Sequence, residues 1–137
     1  MMSKIISVGG GDVATVNIGG AGPLVFLGGP CAIESRDHAL EMAGRIGAIC
    51  RALDIPWIYK SCYDKDCRSS VGSFHGIGID DGLEILAEVR VTQGVPVVCD
   101  FSDAEWAAQT AAVVDFIQIP AYLCRQTHVL LAAGETG

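Results

Sequence analysis

Short apolar runs alternate along this chain with longer segments whose apolar residues recur at helical spacing. The run PLVFLGGPC (23–31) is closed by glycines and a proline. In the segment that follows it, 35–53, Ala39, Met42, Ala43, Ile46, Ile49, Cys50 and Leu53 fall on one face of a helix. A strand followed by an amphipathic helix is the natural reading. The pair recurs as IPWIYKSCY (55–63) and the segment 79–94, where Ile79, Leu83, Leu86 and Val89 form a stripe. Asp80 and Asp81 suit the positive end of that helix, and Gly94 offers its stop. A third strand, VPVVCDF (95–101), precedes a helix over 102–112, in which Ser102 and Glu105 have capping-box spacing. A fourth run, VVDFIQIPAYL (113–123), leads into a last helical piece, 125–137.

Four buried strands alternating with helices predict an α/β fold with parallel strands and right-handed crossovers. The preceding IISVGGGDVATVNIGG reads as a glycine-turned β-hairpin capping one end. The predicted organisation is therefore one partial domain over 1–137, with a hairpin in 1–22 and four βα units in 23–137. Periodicity does not choose between an open sheet and a barrel. A βα barrel takes eight units and about 250 residues, so four units make half of one.

Composition narrows the class of protein. Half of the 137 residues are apolar and 18% are charged, the makeup of a folded globular domain. The apolar runs are too short to cross a bilayer, and MMSKIISVGGGD lacks the apolar stretch of a secretory signal, so a cytoplasmic location is expected. Six cysteines, at 31, 50, 62, 67, 99 and 124, include no CxxC pair and read as thiols. A formal net charge of −7 argues against broad binding to nucleic acid or an anionic membrane surface.

Against that acidic background, YKSCYDKDCRSS (59–70) gathers Lys60, Lys65 and Arg68, three of the nine cations. Parallel α/β proteins bind ligands beyond the carboxyl ends of their strands. Those ends here are GPCAIES, YKSCYDKDCRSS, CDFSD and QIPAYLCRQT. Lysines, an arginine and serines in that position suit phosphate or carboxylate oxygens. A solvated loop of scattered charges is the competing reading, and the position after a strand favours the ligand. Cys31 is either a metal ligand or an ordinary thiol, and Asp100 an active-site carboxylate or a loop cap. Cys62, two residues beyond Lys60, faces the same side and approaches Cys31 if the strand persists. His38, His75 and His128 read as solvated loop or helix residues. The glycine-rich GGGD and HGIGIDDG match neither the phosphate-binding loop nor the dinucleotide fingerprint.

The motifs GPCAIES, KSCYDKDCRSS, SFHGIGIDDGLEIL and VVDFIQIPAYLCRQT, in this order and spacing, resemble the 3-deoxy-D-manno-octulosonate 8-phosphate synthases, also called 2-dehydro-3-deoxyphosphooctonate aldolases. GPCxxES is shared with the related heptulosonate 7-phosphate synthases, whereas KSCYDKDCRSS and QIPAYLCRQT resemble the octulosonate branch closely. The resemblance covers nearly the whole chain. It implies a (β/α)8 barrel that condenses phosphoenolpyruvate with D-arabinose 5-phosphate, releasing phosphate, on the route to lipopolysaccharide. It also implies that Lys60 and Lys65 hold phosphoenolpyruvate and that Arg68 and Ser69 grip the sugar phosphate. Asp100 would lie near the reacting groups, with Gln118, Pro120 and Ala121 lining the phosphoenolpyruvate site. Cys31 corresponds to the cysteine that binds a divalent ion (Mn, Fe, Zn or similar) in the metal-dependent class. Family members form homo-oligomers, tetramers among them, so self-association or pairing with a complementary half-barrel is expected.

The chain departs from the family pattern in several places. The usual KANRSS is KDCRSS, so Asp66 adds a negative charge and Cys67 replaces an asparagine. Cys62 replaces a serine, TDVHE becomes CDFSD, and His75 and Ile77 replace the Arg and Pro of FRGPG. Weaker sugar binding is the expected result. The sequence given ends after the fourth unit, so the family's later histidine, glutamate and aspartate metal ligands are absent from it, as are a further lysine and arginine. Little or no synthase activity, and weak or absent metal binding at Cys31, are expected of these residues alone. A condensation using erythrose 4-phosphate and a non-catalytic anion- or metal-binding half-barrel are the alternatives.

Overall fold

The computed structural model describes residues 4–137, so residues 1–3 of the expected hairpin segment lie outside the described residues. Strands β1 (Ile5–Gly9) and β2 (Thr15–Gly19) form that hairpin, with Ile5 opposite Gly19 and Gly9 opposite Thr15. Four βα units follow: β3 (Phe26–Gly28) with α1 (Arg36–Ala52), β4 (Trp57–Lys60) with α2 (Ile79–Gln93), β5 (Val97–Asp100) with α3 (Ala107–Ala111), and β6 (Phe116–Gln118) with α4 (Thr127–Gly134). Strands β3, β4, β5 and β6 pair in that order, all parallel. The α/β class and the order of elements match the sequence pattern. The outer edges of β3 and β6 are unpaired among the described residues.

Each strand is shorter than the apolar run that announces it, because pairing covers only the middle of each run. The helix expected over 102–112 begins differently as well. Ser102 caps nothing; Asp103, in extended conformation, accepts the amide of Glu105 at 3.3 Å and opens a 3₁₀ turn, Ala104–Trp106, that leads into α3. The spacing of a capping box was present, but the turn opens at Asp103, one residue later than that box requires. In α1 the cap is Ser35, whose hydroxyl accepts the amide of His38 at 3.2 Å. Gly94 ends α2 in the left-handed conformation (φ 65°), as its position suggested.

Side chains alternate across the sheet, which gives it two different faces. Trp57, Tyr59, Val97 and Cys99 turn toward the helices and join Ala39, Ala43, Leu86, Val89 and Val129 in the main core. The opposite parity carries Ile58 and Lys60 on β4, Val98 and Asp100 on β5, and Phe116 and Gln118 on β6. On this face the hairpin covers the lower, apolar row: Val8 and Val16 pack with Ile58 and Val98, and Phe116 borders them. The hairpin is tied there by the amide of Ala14, which donates to the Gly94 carbonyl at 2.9 Å. The upper row is polar and stands at the carboxyl ends of the strands.

Candidate active site at the carboxyl ends of the strands

Lys60 is the last residue of β4, and strand parity alone aims it away from the helices. Asp100 ends β5 with the same parity. The Lys60 Nζ donates to one Asp100 carboxylate oxygen at 2.6 Å, and the Lys65 Nζ donates to the other at 2.8 Å. Both lysines are mostly covered, with side-chain exposures of 17% and 13%, and the Asp100 side chain is 4% exposed. Burial by itself would raise the Asp100 carboxyl pKa, but the two lysine hydrogen bonds outweigh it and hold the group below the usual carboxylate range. For Lys65, burial opposes the charge, while the hydrogen bond and charge of Asp100 and the nearby thiols of Cys31 and Cys62 raise the pKa. Two cations share one anion, so the cluster keeps net positive charge and each ammonium keeps N–H groups to offer an incoming oxyanion.

The first strand joins this mouth through backbone contacts. The Ser61 hydroxyl donates to the Pro30 carbonyl at 2.7 Å, and the Ile33 amide donates to the Cys62 carbonyl at 2.9 Å. These hold the Gly29–Cys31 turn against the end of β4. Cys31 is exposed and shares a cleft of about 380 Å³ with Arg68, Glu34, His38 and Phe74. On the other side, Gln118 lies opposite Asp100 in the β5–β6 register, and the Phe101 amide reaches the Gln118 carbonyl at 3.4 Å. Pro120 is buried beyond it, and Ala121 is exposed at the start of a 3₁₀ turn, Ala121–Leu123. Arg68 and Ser69 are exposed on the loop after β4, and Arg68 makes no ion pair among the described residues.

Strand β4 stops at Lys60, so Cys62 does not continue its alternation. Its thiol is buried instead, with Sγ 2.8 Å from the Asp64 carbonyl, the nearer acceptor for its one proton, and 3.4 Å from the Asp100 carbonyl. Cys99 lies beside it; burial, then the neighbouring Cys62, pushes its thiol well above the ordinary value. All six cysteines are unbridged. The group of three potential metal donors found among the described residues is Asp64, Asp66 and His75, and it does not include Cys31. One exposed thiolate does not make a metal site, so no chemical step is assigned to an ion at Cys31.

Sequence reasoning passed over Tyr63 and left His75 without its neighbours. Tyr63 is fully buried at the root of the cationic loop, its hydroxyl 2.9 Å from the Thr110 hydroxyl and its ring edge-on to Trp106. Its alternating neighbours hid it, because the contact to Thr110 spans 47 residues. His75 reads as a solvated loop residue in isolation; an antiparallel bridge between Asp64 and Gly76 brings it back against the two aspartates. Burial and then the Asp66 charge raise the Asp64 carboxyl pKa, with His75 opposing them.

Fold and mouth together define a parallel α/β protein that gathers Lys60, Lys65 and Arg68 where its strands end. The DAHP synthetase I family model matches residues 5–137, and the chain belongs to that family. Among its curated relatives, the 2-dehydro-3-deoxyphosphooctonate aldolase of Granulibacter bethesdensis is 47% identical over 98% of this chain and 46% of its own length. Those of Koribacter versatilis and Trichlorobacter lovleyi are 50% and 45% identical over 91% and 99% of this chain, and 45% and 48% of their own lengths. This chain spans about half the length of the curated relatives it matches. No helix among the described residues is long and apolar enough to cross a membrane.

Proposed function

We propose that these residues form the phosphoenolpyruvate-binding half of a synthase that condenses phosphoenolpyruvate with D-arabinose 5-phosphate, giving 3-deoxy-D-manno-octulosonate 8-phosphate and phosphate for lipopolysaccharide synthesis. The convergence of Lys60 and Lys65 on Asp100 carries this reading, supported by the names of the relatives. In such a condensation the enol carbon attacks an aldehyde while water adds to the adjacent carbon, and negative charge develops on the aldehyde oxygen and the departing phosphate. Two anionic substrates repel each other unless fixed cations hold them. Lys60 and Lys65 hold the phosphoenolpyruvate oxygens, and Asp100 keeps both ammonium groups aimed into the mouth between turnovers. Arg68 and Ser69 take the sugar phosphate, while Gln118, Pro120 and Ala121 form the wall beside the phosphoenolpyruvate. The four βα units are one side of a (β/α)8 barrel, and the open edges of β3 and β6 pair with a complementary half or with further copies.

Calorimetric titration of the 137-residue chain with phosphoenolpyruvate tests the site. Lys60→Met and Lys65→Met should each weaken binding about tenfold or more, the loss of one charge-assisted hydrogen bond. Affinity unchanged in both variants overturns the assignment. Turnover of both substrates with added Mn²⁺ or Zn²⁺ should stay near background for this chain alone, and near-normal rates would show that no complementary half is needed. Where turnover is restored by a complementary half, arabinose 5-phosphate should be preferred to erythrose 4-phosphate.

A further inference from the structure

Two of the departures from the family pattern, Asp66 and His75, stand nine positions apart in sequence and meet in space on a third residue, Asp64. The meeting is enforced by the backbone. The Lys65 amide donates to the His75 carbonyl at 2.6 Å, and the amides of Ile77 and Gly78 donate to the Tyr63 carbonyl at 3.1 and 3.2 Å. Gly76 lies at φ 146°, where a Cβ would collide with the Tyr63 carbonyl, so the close approach needs glycine. Asp64 and Asp66, two apart, present their carboxylates to the same side as the returning imidazole. One donor atom from each of the three residues lies within 4.8 Å of the others.

The three groups approach one another without direct contact. His75 Nδ1 is 3.9 Å from Asp64 Oδ1 and 3.9 Å from Asp66 Oδ1. That is too long for a hydrogen bond, whose heavy atoms stand about 2.7–3.2 Å apart. It also exceeds the roughly 3–3.5 Å that separates neighbouring ligands on one ion when each bond is about 2.1 Å, so an ion would draw the three groups together by about half an ångström. Among the described residues, none of the three side chains has a hydrogen-bond partner, although Asp64 and His75 are only partly exposed. Two carboxylates side by side repel each other, and a divalent cation relieves that repulsion. The imidazole sets the chemistry, since a nitrogen with two carboxylate oxygens suits a first-row divalent ion such as Mn²⁺ or Zn²⁺ better than Ca²⁺.

We propose that Asp64, Asp66 and His75 form a divalent transition-metal site, separate from Cys31, that clips the returning arm of the cationic loop to its outgoing arm. Three protein donors leave positions for water, so the ion binds reversibly. The site does not depend on the synthase reading, because it uses none of the residues assigned there to either substrate.

Mn²⁺ is the probe, since it disfavours the thiolates that would capture Zn²⁺. Electron paramagnetic resonance of free Mn²⁺, titrated with the 137-residue chain, should show one bound ion per chain. His75→Ala and Asp66→Ala should each weaken binding about tenfold or more, while Cys31→Ser should leave it unchanged. In the unsubstituted chain, bound Mn²⁺ should broaden the backbone amide signals of residues 64–66 and 75–76 ahead of those around Cys31, a readout that needs no variant to fold. Absence of binding at millimolar Mn²⁺, binding abolished by Cys31→Ser, or broadening centred on Cys31 overturns the proposal. The proposed synthase site is tested separately by phosphoenolpyruvate affinity, so either can fail alone.

Discussion

The two ends of the central sheet use carboxylates in opposite ways. At the lower end, Asp115 takes Arg90 in a two-point fork, Nε and Nη2 each at 3.0 Å, and also accepts the Val97 amide at 2.8 Å. Arg90 reaches on to Asp12 of the hairpin turn at 2.7 Å. There, one cation serves two anions, and the planar guanidinium fixes the geometry. At the upper end, one anion serves two cations, and each lysine is a single flexible point charge. The lower cluster is saturated and structural; the upper one has unspent donors and faces the mouth. Charge count and side-chain type, more than burial, separate a staple from a binding site.

Removal of each hub puts that contrast to the test. Asp100→Asn leaves two mostly covered lysines without their partner and should cost roughly 3 kcal/mol, the low end for a broken buried pair, because both ammonium groups can turn toward water. Urea unfolding measures it, and a loss well under 1 kcal/mol would mean that the lysines do not need the carboxylate. Arg90→Gln should cost about 2 kcal/mol, since Asp115 keeps its bond to the Val97 amide but loses the fork. If this exceeds the Asp100 effect, the ranking of the two ends is reversed. Lys65→Met, which leaves Asp100 paired with Lys60, should cost about 1 kcal/mol. Asp12→Ala, at an exposed carboxylate, should leave the unfolding midpoint unchanged.

Acid should probe the upper end as well. The Asp100 pKa is lower in the folded chain than in the unfolded one, so its contribution is complete above the unfolded value of about 3.9. It fades as the pH falls through the folded value, where both states bind the proton. Stability measured from pH 6 downward should therefore drop more steeply in the unsubstituted chain than in Asp100→Asn, and parallel curves would contradict the pairing.

Much of this was readable from the residues alone, for identifiable reasons. The switch from run to stripe announced each βα unit, and parity along WIYK aimed Lys60 away from the helices without any tertiary information. The Lys65–Asp100 bond spans 35 residues and Arg90–Asp12 spans 78, and no local rule pairs charges over such distances. The capping signal at Ser102 misled because Asp103 competes for the same turn and wins by one residue. Cys62 would have shared the side of Lys60 only if β4 had persisted, and its pairing ends at Lys60. His75 gained its neighbours only through the return of the chain at Gly76.

The Asp115 bond to the Val97 amide works as an index pin for everything above it. Shifted by one residue, β5 would turn Asp100 inward among the helices and swing Cys99 into the mouth. That misaligned sheet would also take the Val97 amide away from the Asp115 carboxylate. Correct alignment of the chemistry is thus proofread three residues before Asp100, by a contact that never meets a substrate.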